Sequence, residues 1–277
     1  MPSLKDIKSR IGSVKSTQKI TKAMKMISTA RLTRAKNHLA IQKEYSQAVQ
    51  LISNASLSHG FDDAIDVPQL LSNFTQKKGK KNILTVLIST DKGLCGALNT
   101  FLFKEFNAKF AGGNLIVVGK KSFDFTKGKV ETLNSAPYFS GKSENHEEIV
   151  TDILSTIKSQ NITQLHIMFP EFISTIAQKP KVLIFPENKQ TVSSQYEIEG
   201  SPTELAESLL EEAIRSILFE GLAQLTCSEH SARMIAMDNA SNNATAKIKE
   251  LTLIYNKTRQ ASITREILEI VAGSQAV

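Results

Sequence analysis

The sequence predicts an α/β protein made of two long terminal helices and a central, mostly parallel sheet domain. Three observations predict it. Residues 4–52 and about 203–272 each read as a long helix with almost no breaker inside. The stretch between them alternates strand and helix signals, the pattern of a parallel sheet with crossover helices. The two ends also carry opposite charge: residues 1–52 hold 11 Lys/Arg against 2 Asp/Glu, and residues 203–277 hold 7 against 10. Opposite charge on two long helices favours their pairing.

The first helix has a clear start. Ser3 can cap it, and Asp6 stands where a reciprocal acceptor belongs. Leu4, Ile7, Ile11 and Val14 follow a coiled-coil 3-4 spacing. The seam turns polar at Gln18 and Thr21 and is expected to resume, shifted in phase, at Ile20, Met24, Ile27 and Ala30, flanked by Lys15, Lys19, Lys22 and Lys25. Leu32, Ala35, Leu39 and Val49 continue it. At about 1.5 Å per residue this rod reaches roughly 70 Å, and the C-terminal one, if unbroken, roughly 100 Å. One core does not cover rods of that length, so the chain is expected to reach into something else.

Residues 53–80 break the helical pattern with Gly60, Pro68 and Gly79 and read as loop. Residues 82–90 are a branched-rich buried strand, followed by the turn Asp91–Asn99 and an amphipathic helix to about Phe110. Asn114–Gly119 and Gln164–Phe169 are further strands, and Glu147–Lys158 is a helix. Ser174–Gln178 and Lys181–Phe185 read as strands or a hairpin near a sheet edge. The last helix opens on Ser201-Pro202-Thr203-Glu204, a cap, a first-turn proline and a reciprocal acid. Leu209, Ala213, Ile217 and Leu225 give it an apolar face, and residues 236–247 are small and polar. Leu251, Ile254, Thr258, Ala261, Arg265, Leu268 and Ala272 then form the expected seam. The domain bounds are accordingly 1–55, 56–200 and 201–277.

Chemistry is sparse. The turn Asp91–Asn99 is the one glycine-bearing strand-to-helix turn worth testing as a phosphate cradle. It has neither the Walker spacing nor GxGxxG, so it reads as a tight turn that needs glycine for its backbone. Cys95 sits in it without a visible base, and Cys95 and Cys227 form no CxxC. The five histidines, at 38, 59, 146, 166 and 230, make no i,i+4 ligand pair. No catalytic residue, metal or cofactor is expected. No run reaches the roughly 18 apolar residues of a membrane span, and neither a signal peptide nor a presequence is expected. The basic first helix leaves three readings open: a nucleic-acid or anionic-surface binder, the charged outside of a coiled coil, or a shaft seated among protein partners.

Four segments together resemble one family. They are Thr17–Met26 (TQKITKAMKM), the turn Asp91–Asn99, Glu229–Met237 (EHSARMIAM) and Ile254–Gly273 (IYNKTRQASITREILEIVAG). Their order and content resemble the gamma subunit of F-type ATP synthases; residues 110–200 match it only in element order. The resemblance implies an antiparallel, left-handed coiled coil with a Rossmann-like α/β domain at its base. It implies a non-catalytic central rotor shaft that couples proton-driven rotation of a membrane ring to ATP synthesis at the beta subunits. A basic coiled-coil module for nucleic acid is the alternative. The implied partners are the alpha, beta and epsilon subunits and the membrane c-ring. Met24, Lys25, Arg259, Gln260, Thr264 and Glu266 match positions facing the alpha/beta catch loops. Tyr196, Glu197 and Glu199 fall where ring or epsilon contacts lie. The implied location is peripheral, on the cytoplasmic side of a bacterial inner membrane.

Overall fold

The computed structural model describes residues 3–58, 74, 82–110, 112–141, 145–186 and 202–274. Helix α1 spans Leu4–Ser58 and helix α5 spans Pro202–Ser274. Between them come β1 (Ile83–Ile88), α2 (Leu98–Lys109), β2 (Asn114–Val118), α3 (Lys120–Thr126), α4 (His146–Ser159), β3 (Gln164–Phe172) and β4 (Gln178–Phe185). The chain divides into two compact units: residues 1–29 with 233–277, and residues 30–232.

The larger unit is a four-stranded sheet in the order β2-β1-β3-β4, covered by helices on both faces. β1 pairs in parallel with β2 and with β3, and β4 closes the edge antiparallel to β3. Alternation along each strand sorts the side chains. Leu84, Val86, Ile88, Ile116, Val118, Leu165, Ile167 and Phe169 face one core with Ile149, Ile153 and Ile157 of α4 and Leu210, Ile214, Ile217 and Leu222 of α5. Leu87, Leu115, Val117 and Met168 face the other with Leu102 and Phe106 of α2 and Phe123 of α3. Strands buried on both faces explain the unbroken apolar runs of the sequence.

Both sheet edges are closed to further pairing. At β2, the side-chain amide of Asn134 donates to Val117 O and accepts from Val117 N, each at 3.0 Å, as a neighbouring strand would. At the other edge β4 carries Lys179, Pro180 and Lys181, residues that discourage strand addition. Of the two readings for Ser174–Gln178 and Lys181–Phe185, the edge hairpin holds: β3 and β4 form it, and Ser174–Ala177 lie in its turn and not in a strand. Ile173 and Ser174 donate backbone bonds to Ala177 O at 3.2 and 3.0 Å, and the strand begins at Gln178. Helix α3 was not foreseen: seven residues are too few to show a period.

Gly119 is a steric requirement, and Gly221 marks a close approach. Gly119 has φ +94°, and a Cβ there would stand 2.1 Å from Ser89 O. At Gly221 a Cβ would meet Ile88 Cδ1 at 3.1 Å, so α5 lies directly on the sheet at that turn. The same unit holds residues 30–58 of α1 beside the first turns of α5, where Tyr45 Oη donates to Glu212 Oε1 at 2.8 Å.

The smaller unit is a two-helix coil. The foreseen capping box starts α1: Asp6 N donates to Ser3 Oγ at 3.2 Å, and Ser3 N to Asp6 Oδ2 at 3.3 Å. Gln18 Nε2 donates to Thr245 Oγ1 at 2.7 Å and Lys25 Nζ to Asp238 Oδ1 at 2.6 Å, so the helices run antiparallel.

Candidate functional site

The strand-to-helix turn after β1 is filled by its own groups. Asp91 Oδ1 accepts from the backbone N–H of Lys120 at 3.1 Å and Ser140 at 3.2 Å, and its Oδ2 accepts from Gly141 N at 2.6 Å. The donors that would cradle a phosphate at the C-terminal end of a parallel sheet converge on this carboxylate. Asn99 Nδ2 donates to Thr90 Oγ1 at 2.7 Å and ties the turn to the start of α2. Leu94 and Gly96 take positive φ, +63° and +60°, so one glycine serves the left-handed backbone and a leucine accepts the other such position. Cys95 is buried. Burial drives the Cys227 thiol, on α5, up to about 11, so it stays protonated and inert at neutral pH. Among the described residues no group of His, Cys, Asp and Glu is arranged to hold a metal.

The coil offers a different kind of site, a surface. Buried and half-buried positions on its α1 segment are 4, 7, 11, 14, 18, 21, 24, 25 and 28; Met24 apart, they keep an uninterrupted 3-4 alternation. The expected phase shift is therefore corrected: Ile20 and Ile27 point outward, 61% and 54% exposed, and the seam keeps its phase through Gln18, Thr21, Lys25 and Ser28. On α5 the seam is Met237, Ser241, Ala244, Ile248, Leu251, Tyr255, Thr258 and Ser262. Leu251 and Thr258 were foreseen. Ile254, Ala261, Arg265 and Leu268 are not seam members; they face outward. The physical reason is shared by both helices. Hydrophobicity marks the outer face as strongly as the inner one, while polar side chains that find partners across the coil occupy inner positions.

The two rungs fix the register. The residue numbers of each add to 263, so Leu4 stands level with Arg259. Beyond that level α5 continues alone to Ser274, about 20 Å of helix. Ile263, Ile267, Leu268, Ile270 and Val271 are exposed along it. Sequence reasoning placed Leu268 of this row in the seam and did not single out Ile263, Ile267, Ile270 and Val271. The row's signal was the excess of apolar residues on α5 beyond the last residue that α1 could face.

The predicted contact residues fall into two groups. Met24 and Lys25 are half-buried, Lys25 in the coil seam and Met24 beside it, and Lys25 is already paired with Asp238. Arg259, Gln260, Thr264 and Glu266 are exposed. Thr264 Oγ1 donates to Gln260 O at 3.0 Å, and Glu266 Oε1 accepts from Ser262 Oγ at 3.2 Å. Arg259 forms no ion pair among the described residues. The groups are not brought together: about 20 residues of helix, or roughly 30 Å, separate their levels. Tyr196, Glu197 and Glu199 lie outside the described residues.

A family model described as ATP synthase matches residues 3–277. The chain is 34% identical over 292 residues to the ATP synthase gamma chain of Desulfitobacterium hafniense, with all of both chains covered. It is 35% identical over 302 residues to that of Coxiella burnetii, again covering all of both. Its fold is similar to a chain in the cryo-EM structure of the Euglena gracilis mitochondrial ATP synthase, OSCP/F1/c-ring, rotational state 3. There the TM-score is 0.69 at 18% identity, covering 99% of this chain and 94% of that one. It is also similar to a chain of the Tetrahymena thermophila mitochondrial ATP synthase central stalk/c-ring, with TM-score 0.55 at 18% identity, covering 80% and 99%. None of these matches supports a nucleic-acid module. On full-length identity to curated gamma chains, together with the family match, the chain belongs to the ATP synthase gamma-chain family.

Proposed function

We propose that this chain is the non-catalytic central shaft of an ATP synthase. It couples proton-driven rotation of the membrane c-ring to ATP synthesis at the beta subunits. The observation that carries the reading is full-length similarity to gamma chains, joined to an α5 extension whose apolar side chains are exposed among the described residues. A lone helix with Ile263, Ile267, Leu268 and Ile270 in water is unfavourable, and a surrounding protein sleeve removes that surface from solvent.

The shaft acts by differential contact. Its two sides differ: α1 presents Lys15, Lys19 and Lys22, while at the same level α5 presents Asn242, Asn243 and Ala246. Each beta subunit in a ring therefore meets a different face. A face that binds one conformation of its neighbour better than another shifts that neighbour's population. Turning the shaft moves the bias from one site to the next.

Arg259 and Gln260 are the primary contacts to the alpha/beta catch loops. The free guanidinium suits a bidentate carboxylate, and the Gln260 amide can donate and accept beside it. Thr264 and Glu266 extend that row toward the helix end. Met24 and Lys25 form a separate contact level, where Lys25 exchanges Asp238 for a loop carboxylate. Both members of that pair are about two-fifths exposed, so the exchange is close to neutral. The alpha and beta subunits surround the coil. Epsilon and the c-ring meet the α/β domain, with Tyr196, Glu197 and Glu199 on the ring side. Among the described residues no helix is long and apolar enough to cross a membrane. The chain is thus held peripherally through its complex, on the cytoplasmic side of a bacterial inner membrane.

Co-expression with cognate alpha and beta subunits tests the reading. The expected result is a defined complex whose ATP hydrolysis depends on this chain and falls with Arg259→Ala or Gln260→Ala. Absence of a complex overturns the shaft reading. A complex indifferent to both substitutions overturns the catch-loop assignment alone.

A further inference from the structure

β3 is longer than the strand beside it. β1 pairs with it from Gln164 to Met168 and then ends. Pro170 and Phe172 lie beyond, on the free side of β3. A strand there would take the carbonyl of Pro170 and the N–H of Phe172. Side chains of α5 take them instead: Ser228 Oγ donates to Pro170 O at 2.8 Å, and Gln224 Oε1 accepts from Phe172 N at 2.9 Å. One turn on, Ser231 Oγ donates to Thr175 O at 2.5 Å and accepts from Gln178 Nε2 at 3.3 Å. Residues 224, 228 and 231 share one helix face, and all three are buried. From α1, Lys36 Nζ donates to Thr175 Oγ1 at 3.1 Å and lies 5.3 Å from the centre of the Phe172 ring.

We infer that Gln224, Ser228 and Ser231, with Lys36, form the torque-bearing joint between the sheet domain and the helices of the shaft. The inference rests on the shaft reading. Up to Leu225 the sheet holds α5 through apolar side chains, whose contacts are non-directional and let a helix rock about its axis. Hydrogen bonds to the fixed backbone of a strand and its hairpin have narrow angular tolerance. Three of them stacked along two turns hold α5 in one rotational setting. Gly221, one turn earlier, brings the helix backbone close to the sheet, so the short serine side chains reach. The four residues are positioning residues: they touch no reacting group and act by fixing the phase of the helix that carries the contact surface.

The test uses the assembled alpha–beta–gamma complex. The larger subunits are fixed to a surface, and a gold rod is attached to the sheet domain through Lys127→Cys. In stalled complexes the angular variance of the rod measures torsional stiffness. Replacing the joint's directional bonds with apolar groups in the triple variant Gln224→Met, Ser228→Ala, Ser231→Ala should widen that variance about twofold or more. In the complete complex with its membrane ring, ATP-driven proton transport per ATP hydrolysed should fall in the same variant, with hydrolysis retained. Arg215→Gln, which breaks an ion pair with Glu147 in the same domain away from the joint, should leave the variance unchanged. A triple variant with wild-type variance and wild-type coupling overturns the joint and leaves the shaft reading intact. Wild-type complexes that do not form or rotate overturn both. If the triple variant does not assemble, Gln224→Met alone is read by the same variance. Widening supports the joint, and no change overturns it.

Discussion

Lys25 Nζ stands 2.6 Å from Asp238 Oδ1, one heptad along from the Gln18–Thr245 rung at 2.7 Å. The pair fixes more than itself. With its neighbour it sets the antiparallel register, and the register decides which part of α5 has α1 beside it and which part stands alone. A seam that carries Gln18, Thr21, Lys25 and Ser28 packs less apolar volume than an all-aliphatic one. Its polar partners specify alignment instead, a use of buried polar groups well known from coiled coils.

The pair itself should contribute little to stability. A double-mutant cycle of Lys25→Ala and Asp238→Ala on the isolated chain should give a coupling of about 0–1 kcal/mol that shrinks in high salt. Chemical denaturation with both single variants and the double reads it directly.

Leu251 and Ile254 separate the two faces of α5. Leu251 is 9% exposed and lies in the seam, whereas Ile254 is 41% exposed and lies outside it. Leu251→Ala should destabilise the isolated chain by about 2 kcal/mol or more. Ile254→Ala should change it by no more than about 0.5 kcal/mol. Thermal unfolding of each variant decides, and equal losses would restore the seam read from hydrophobicity alone.

Gly119→Ala should be among the most damaging single changes in the sheet domain. The residue has φ +94°, and the added Cβ would meet Ser89 O at 2.1 Å, a backbone atom that cannot swing away. A loss of about 3 kcal/mol or more is expected, since strain and steric overlap act together. Unfolding in urea measures it.

Asp91 should behave as a structural acceptor. Asp91→Ala leaves the N–H groups of Lys120, Ser140 and Gly141 without their carboxylate and should cost about 1–3 kcal/mol. Calorimetry with and without nucleotide should show the lower stability and no change in nucleotide binding by the isolated chain.

Cys227 gives a pH-dependent prediction. Burial raises its thiol to about 11, above its usual value near 9. The folded state therefore keeps the proton that the unfolded chain gives up. The associated stability is complete below pH 9 and is lost as pH rises from about 9 to about 11. Native protein at pH 8 should resist alkylation at Cys227, and the thiol should react once the chain unfolds.

Much of this was legible in the sequence. The Ser3–Asp6 capping box and the start of α5 at Pro202 are local chemistry, and local chemistry is written in adjacent residues. The runs of β1 and β2 could be read because strands covered on both faces carry continuous apolar residues. What failed was the choice between equally apolar faces. Ile20, Ile27, Ile254 and Leu268 satisfy a 3-4 template as well as the true seam does, and nothing in one chain's sequence states whether a face meets the same chain or another. The edge hairpin is legible at Ser174–Phe185, but where its turn ends is not: Ile176 is a β-former and yet is exposed in the turn. The contacts of Gln224, Ser228 and Ser231 were invisible for a different reason. They pair with backbone groups some 50 residues distant, and backbone acceptors leave no mark in a sequence.

On the shaft reading, this chain turns inside a ring of alpha and beta subunits and reaches them through its exposed α5 surface. The most direct measurement is the rotation and ATP hydrolysis of the complex formed with its cognate alpha and beta subunits, with wild-type chain and with Arg259→Ala plus Gln260→Ala. The expected result is a complex that hydrolyses ATP while the sheet domain rotates against the fixed subunits, with slower turnover in the variant. A complex that hydrolyses ATP at the same rate without this chain, or in which the sheet domain stands still during hydrolysis, would contradict it.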